Sequence, residues 1–295
     1  MTKLPKFRTM TQAIPWKKSI FLIISRNRKN TFFQWLNRWV SFLYFAFQNK
    51  NNDHATNGEF WLMRQINRIH SPKIVFDVGG NVGDWSLGAG SVFKNGVIWT
   101  FEPIPDVFRM LETNVVGKDF IRPFNLALSD KIGVLNFNYY PNANLFNSVY
   151  EHFKGGVAVK TEVNCIDGDS FCMEHNINEI DFLKLDVEGS EHLVLKGFSH
   201  MLQNQKIKII QFEYGIFSIE SKFLLKDYFQ LFSEYGYLVG KVYPNYVDFT
   251  EYNWSLENFL GANYVAVRQS VAHKAWKQLQ NGKIKGKTCR VRLLK

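Results

Sequence analysis

Polar and apolar positions change rhythm twice along this chain. From Thr31 to Gln48 large apolar residues crowd almost every turn: Phe32, Phe33, Trp35, Trp39, Phe42, Tyr44, Phe45 and Phe47. A helix built from them is aromatic over much of its surface, not along one stripe. Asn49-Lys50-Asn51-Asn52-Asp53 then reads as a polar connector. Phe60, Met63, Ile66 and Ile69 follow at helical spacing and stop at Ser71-Pro72.

From Lys73 onward, short apolar runs alternate with amphipathic stretches. Strands are predicted at 73–78, 97–101, 121–128, 181–187, 207–213, 237–242 and 262–267. Phe223, Leu224, Tyr228, Leu231 and Phe232 mark a helix that ends at Gly236. About seven strands alternating with helices predict a Rossmann-like α/β fold, its mostly parallel sheet covered on both faces. Residues 133–165 break the rhythm. Val134 to Tyr139 and Val157 to Val163 each alternate, which predicts an inserted strand pair with an Asn-rich loop from Pro141 to Asn147. Tyr139, Tyr140 and Asn144 in this insertion either cover a substrate or belong to a plain surface hairpin. The chain thus divides into a helical extension over 1–55, an α/β domain over 56–270 and a tail over 271–295.

Charge sharpens that division. The chain has 295 residues and a net charge of +10. Residues 1–50 carry ten Lys or Arg and no acid, and residues 271–295 carry eight and no acid. The middle is therefore acidic. The aromatic, basic extension suits either an interfacial helix on an anionic membrane surface or a helix packed on the main domain. Its longest apolar runs, Ile20 to Ile24 and Trp39 to Phe47, are far short of the roughly 20 residues a spanning helix needs. Arg26, Arg28 and Lys29 follow the first run where a signal peptide would be cleaved. Three widely spaced cysteines make no disulfide framework, so a cytoplasmic protein, peripheral on the inner membrane face, is expected. No RNA-binding module is recognisable, and a nucleic-acid partner is not expected.

Candidate chemistry begins where the first strand ends, in Asp77-Val78-Gly79-Gly80-Asn81-Val82-Gly83-Asp84. A glycine turn between strand and helix lets a cofactor lie against bare backbone. A dinucleotide fingerprint would need glycine at 81 and 84, and a P-loop would need a lysine after the glycines. Asp84 at the coming helix start would repel a phosphate. A phosphate-free cofactor with sulfonium and ammonium charges suits these acids, with Asp77 receiving the ammonium. Glu102 ends the second strand before Pro103, 23 residues past Gly79, where an acid can accept both ribose hydroxyls. The fourth strand ends in Asp186-Val187-Glu188-Gly189, and the fifth ends in Glu213. If these strands are neighbours, Asp186, Glu188 and Glu213 converge.

Phe-Asp-Val-Gly-Gly-Asn-Val-Gly (76–83), Phe-Glu-Pro (101–103), Ala-Leu-Ser-Asp (127–130) and Leu-Lys-Leu-Asp-Val-Glu-Gly-Ser-Glu (183–191), with Leu195-Lys196-Gly197, occur in that order. Together they resemble the FkbM family of methyltransferases over about residues 73–270. The resemblance implies a class I methyltransferase fold and S-adenosylmethionine as donor. It further implies O-methylation of a hydroxyl on a carbohydrate, glycolipid or related biosynthetic intermediate. Asp77, Gly79 and Glu102 become cofactor contacts, joined by Gly80, Asn81, Gly83, Asp84 and Pro103, with Ala127 and Leu128 beside the adenine. Asp186 and Glu188 become the signature acids. A hydroxyl acceptor calls for a base or a metal. Asp186, Glu188 and Glu213 are the candidate bases and, as oxygen ligands, the candidate Mg²⁺ site. His192 is a further candidate base, though a helix-surface histidine is the plainer reading. The competing functions are methylation of RNA or of a small metabolite, and non-catalytic binding of a glycan or partner.

Overall fold

A computed structural model describes residues 15–140, 147–150 and 157–271. The chain forms two units, Met1–Gln48 and Asn49–Lys295. Residues 49–55, expected with the extension, thus belong to the larger unit. The expected tail from 272 onward, Asn144 and most of the Asn-rich loop lie outside the described residues.

The smaller unit contains α1 (Pro15–Arg26) and α2 (Thr31–Phe47). Asn30 caps α2, its side chain accepting the Phe32 N–H at 2.9 Å. No side chain of α2 is buried. Trp16, Phe21 and Ile23 of α1 are likewise exposed.

In the larger unit the strands are β1 (Ile74–Val78), β2 (Val97–Phe101), β3 (Ile121–Phe124), β4 (Ala127–Ser129), β5 (Gly133–Tyr139), β6 (Val159–Asp167), β7 (Ile180–Leu185), β8 (Ile207–Tyr214), β9 (Tyr237–Tyr243), β10 (Tyr246–Asp248) and β11 (Ala262–Arg268). The helices are α3 (Glu59–His70), α4 (Asp84–Val92), α5 (Pro105–Asn114), α6 (Gly168–Glu174), α7 (Glu191–Gly197), α8 (Ser199–Gln203), α9 (Ser218–Ser221) and α10 (Leu225–Glu234). The main sheet runs β10-β9-β11-β8-β7-β1-β2-β3. Strands β8, β7, β1, β2 and β3 are parallel neighbours, and β11 runs against both β8 and β9. This is the class I methyltransferase arrangement, with β10 added as a hairpin partner of β9.

All seven predicted strands form, but the third is shorter than expected. It stops at Phe124, and Ala127–Ser129 pairs with β6 in a second sheet of order β4-β6-β5. Asn125 makes the turn, its amide donating to the carbonyls of Glu102 and Pro103 at 2.9 Å. Pro123 offers no N–H to extend pairing, which an edge strand tolerates. The inserted strand pair is present as antiparallel β5 and β6.

Alternation along the strands sends Phe76, Leu183, Leu185, Ile210 and Phe212 into one buried layer and Val75, Phe182 and Ile209 into the other. Phe76 is fully buried against Trp99, Phe101, Phe171 and Phe198.

The chain leaves β1 toward β2 and leaves β7 toward β8, so the order reverses between β1 and β7. A crevice opens beyond the carboxyl ends of the strands at such a point. There Gly79 has φ +86°, and a Cβ on it would sit 1.8 Å from the carbonyl oxygen of Asp186. Glycine is needed because two strand ends press together. Gly79→Ala should therefore lower stability by about 2–4 kcal/mol, read by chemical denaturation. A loss below about 1 kcal/mol would mean that the strand ends separate freely.

Candidate active site

Strand register builds the floor of the site. Thr100, Asp77, Lys184 and Gln211 are successive neighbours across β2, β1, β7 and β8. In-register neighbours of a parallel sheet share a face, so a buried polar row crosses the middle of the sheet. Lys184 Nζ lies 3.2 Å from Asp77 and 3.1 Å from Asp186. It also stands 5.3 Å over the Trp85 ring. Burial works against the charge on Lys184, but Asp186, Asp77 and Glu59 outweigh it and hold its pKa above the ordinary lysine value. Ser86 Oγ donates to Asp77 at 2.7 Å and shares a second bond of 2.7 Å with Thr100. Burial pushes the Asp77 carboxyl up, and Lys184 and Ser86 oppose that push.

The glycine turn satisfies its own amides. Gly79 N and Gly80 N both donate to the carbonyl of Phe101, at 3.0 and 2.9 Å. Gly83 N donates to Gly80 O, and Asn81 N donates to Glu102 Oε2 at 3.0 Å. These four donors are not available to a phosphate, in keeping with a phosphate-free ligand. Glu102 Oε1 accepts the Ile104 N–H at 2.9 Å, so the carboxyl is gripped from both sides. Burial raises it to about 7 against those two amides.

On the other side of the crevice, Glu188 has φ +50°. Glu191 pins that turn from beneath, accepting the N–H groups of Val187 at 3.0 Å and Gly189 at 3.4 Å. Burial, followed by Glu213, Asp186 and Glu191, pushes Glu188 well above the usual carboxyl range. Burial, followed by Asp186 and Glu191, does the same to Glu213. A strained turn that presents a carboxyl among carboxyls is costly to keep, which marks it as functional.

A second carboxyl network faces the same space. Glu59, at the start of α3, accepts from Asn57 at 2.7 Å, Trp85 Nε1 at 3.1 Å, Gln211 at 2.7 Å and Asn263 at 3.1 Å. His54 Nδ1 lies 2.8 Å from the same carboxylate. Burial opposes ionisation of Glu59, but His54, Lys184 and Asn57 outweigh it and bring its pKa down to about 2. The Glu59 bond raises the pKa of His54.

These groups surround a cavity of about 680 Å³. Of the residues expected from the sequence, Gly79, Gly80, Asn81, Asp84, Asp186, Glu188 and Glu213 line it. Glu102 and Pro103 line an adjoining cavity of about 80 Å³ that shares Gly79, Asn81, Asp186 and Glu188. Four expectations need correction. Asp77 does not reach the cavity: it is fully buried, and its oxygens are taken by Lys184 and Ser86. Ala127 and Leu128 do not line the large cavity and instead border a cleft of about 20 Å³. His192 turns away, its Nδ1 3.2 Å from Gly189 O and its ring stacked on Phe223. Among the described residues, no three His, Cys, Asp or Glu side chains gather closely enough to hold a metal ion, so the three acids do not form the Mg²⁺ site considered above. Gly83 also lies off the cavity, closing the turn at the start of α4.

Sequence reading missed Lys184, Glu59 and His54. Lys184 had a signal, since a lysine breaks the apolar run of the fourth strand. Glu59 and His54 had none, because the pair is placed by Gln211 and Asn263, which reach Glu59 from 152 and 204 positions away.

A family model described as the methyltransferase FkbM domain matches residues 77–239. The chain belongs to the FkbM methyltransferase family. Hexuronic acid methyltransferase AglP of Haloferax volcanii is 28% identical over 145 residues, 48% of this chain and 57% of AglP. The 2-O-methyltransferase NoeI of Sinorhizobium fredii is 25% identical over 48% of this chain and 63% of NoeI. The chain thus spans less than two thirds of the length of these FkbM-type relatives. A stretch of 32 residues, 11% of the chain, is 94% identical to 7% of the ATP-dependent RNA helicase DbpA of Escherichia coli. So short a match brings no function to the FkbM domain.

The acid excess has a measurable consequence. Burial and neighbouring acids push Glu188 and Glu213 up, and a cation entering among them should favour their ionised forms. Calorimetric titration with S-adenosylmethionine in buffers of different ionisation enthalpy should show proton release, and affinity should rise with pH. Proton uptake, or a heat independent of buffer, would contradict this charge assignment.

Proposed function

We propose that this chain transfers the methyl group of S-adenosylmethionine to a hydroxyl of a carbohydrate, glycolipid or related biosynthetic intermediate. The observation that carries the donor is Glu102. Its carboxyl is gripped by two backbone amides at the end of β2, beside a glycine turn whose own amides are engaged. Such a carboxylate suits the two hydroxyls of a ribose. The cluster Asp186, Glu188 and Glu213 suits a cationic ligand in place of a phosphate one. When bound, the donor supplies a methyl group on a positively charged sulfur. The chain's own part is to align an acceptor oxygen with that carbon, exclude water and take up a proton. The names of AglP and NoeI support a sugar-type acceptor.

We also assign residues 1–50 to an anionic membrane surface. Trp16, Phe21, Trp35, Trp39, Phe42 and Phe47 are exposed on α1 and α2. Lys17, Lys18, Arg26, Arg28, Lys29 and Arg38 accompany them, with no acid between. Aromatic rings flanked by basic side chains fit the boundary between headgroups and acyl chains. No described helix is long and apolar enough to cross a membrane.

Two outcomes test this reading. Glu102→Gln should weaken S-adenosylmethionine binding about 10-fold or more, the loss of a charged acceptor. In the unsubstituted protein affinity should fall as pH drops through about 7, where Glu102 gains a proton and loses acceptor capacity. Calorimetry reads both, and an absence of binding at any pH would sink the methyltransferase function. A screen of nucleotide sugars and glycolipids with labelled donor identifies the acceptor class. For the surface role, the full chain should co-sediment with phosphatidylserine vesicles and not with neutral ones. Trp35→Ser with Trp39→Ser should abolish that; unchanged sedimentation would exclude it.

A further inference from the structure

We propose that His54 is the base that takes the acceptor's proton, and that Glu59 is the residue that positions it. The inference rests on the methyl-transfer reading above. His54 and Glu59 both line the large cavity, together with the glycine turn and Asp186. The geometry assigns the proton on the ring. Glu59 accepts from Asn57, Trp85, Gln211 and Asn263, and a carboxylate used this way can only accept from His54 as well. Nδ1, 2.8 Å away, therefore carries the hydrogen. In the neutral ring Nε2 then carries the lone pair, and among the described residues no hydrogen bond to it is present. The ring is partly exposed while Glu59 is buried, so a fixed anion orients a reachable imidazole. Such an arrangement is how a base is held in one tautomer.

The other candidates are held differently. Burial and neighbouring acids push Glu188 and Glu213 above the usual carboxyl range, which favours their protonated forms. Asp186 is engaged by Lys184. His192 is stacked on Phe223, outside the cavity. His54 lies upstream of the family match at residues 77–239, so the signature motifs do not contain it.

In the step itself, the acceptor oxygen forms a bond to the methyl carbon as the carbon–sulfur bond breaks. The bonding pair stays on sulfur, which becomes a neutral thioether, and the hydroxyl proton passes to Nε2 of His54. Charge balances: one sulfonium is lost and one imidazolium is formed beside the Glu59 anion. Lys184 and Asp186 line the same cavity and act on the ring's proton in opposite directions, and Lys50 lies on the cavity wall as well.

The test has two arms on the full chain. Nitrogen-15 NMR of the histidine rings, with and without S-adenosylmethionine, should show neutral His54 protonated at Nδ1 and bare at Nε2. Its pKa should lie above that of a free histidine and drop in Glu59→Gln. A proton on Nε2, or a pKa that Glu59→Gln leaves unmoved, overturns the proposal without touching the methyltransferase reading. In the second arm, labelled methyl transfer to methyl glucuronoside should fall about 100-fold or more in His54→Gln, with donor affinity held within about threefold. Rate should rise with pH through the His54 pKa. An unchanged rate, or a loss of donor affinity that matches the loss of rate, overturns the base role. If the unsubstituted protein binds the donor but leaves this glucuronoside unmethylated, that acceptor is excluded, and the NMR arm decides on His54. If it binds no donor, the methyltransferase reading fails and the base role fails with it.

Discussion

A buried lysine between two carboxylates underlies this site. Lys184 reaches Asp77 on the neighbouring strand and Asp186 at the end of its own. It therefore ties together the two strand ends where the sheet order reverses. Breaking such a pair from one side leaves an uncompensated buried charge, at a cost of about 3–5 kcal/mol. The glycine turn follows from the same constraint, because only a glycine at 79 lets the Asp186 carbonyl approach so closely. The polar row from Thr100 to Gln211 extends the anchoring across four strands. It also links the strands to Ser86 and Trp85 on α4 and to Glu59 on α3.

This floor changes what the surrounding groups can do. Asp77, placed by its motif as a ligand for an ammonium group, is consumed in holding Lys184. The amides of the turn are consumed by Phe101, Gly80 and Glu102. Recognition is left to side chains: Glu102 on one side, and Asp186, Glu188 and Glu213 on the other. Carboxyls packed together repel, and burial with that repulsion pushes Glu188 and Glu213 above the usual carboxyl range. A cation in the cavity would relieve that repulsion, which is why the proposed sulfonium donor suits the site better than a nucleotide phosphate.

The second network differs in kind. Glu59 is as buried as the other acids, yet it is held as an anion, because five donors converge on it. One is an imidazole with an edge open to the cavity. The same cavity thus holds carboxyls pushed up by their surroundings and an imidazole oriented by a fixed anion. Environment, not residue type, separates the two roles.

Period and turn chemistry are local, so they could be read directly. The apolar runs located seven strands, and the glycine turn, Glu102 and the Asp186–Glu188 turn marked the side of the sheet where the cavities open. The basic aromatic extension was equally plain from composition. Errors arose where a distant partner decided the outcome. Asn125 folds back on Glu102 and Pro103 and splits the third strand, although its neighbours read as one run. Asp77 meets Lys184 only through strand register. His192 turns away because Phe223 is there to stack on. His54 and Glu59, which no motif marks, become a pair serving the cavity only because Gln211 and Asn263 arrive from β8 and β11. The sequence by itself determined the strands, the turns and the motifs of the family. The tertiary structure alone decided which carboxyls are pushed up or down and which imidazole lines the cavity, because burial and distant partners set both.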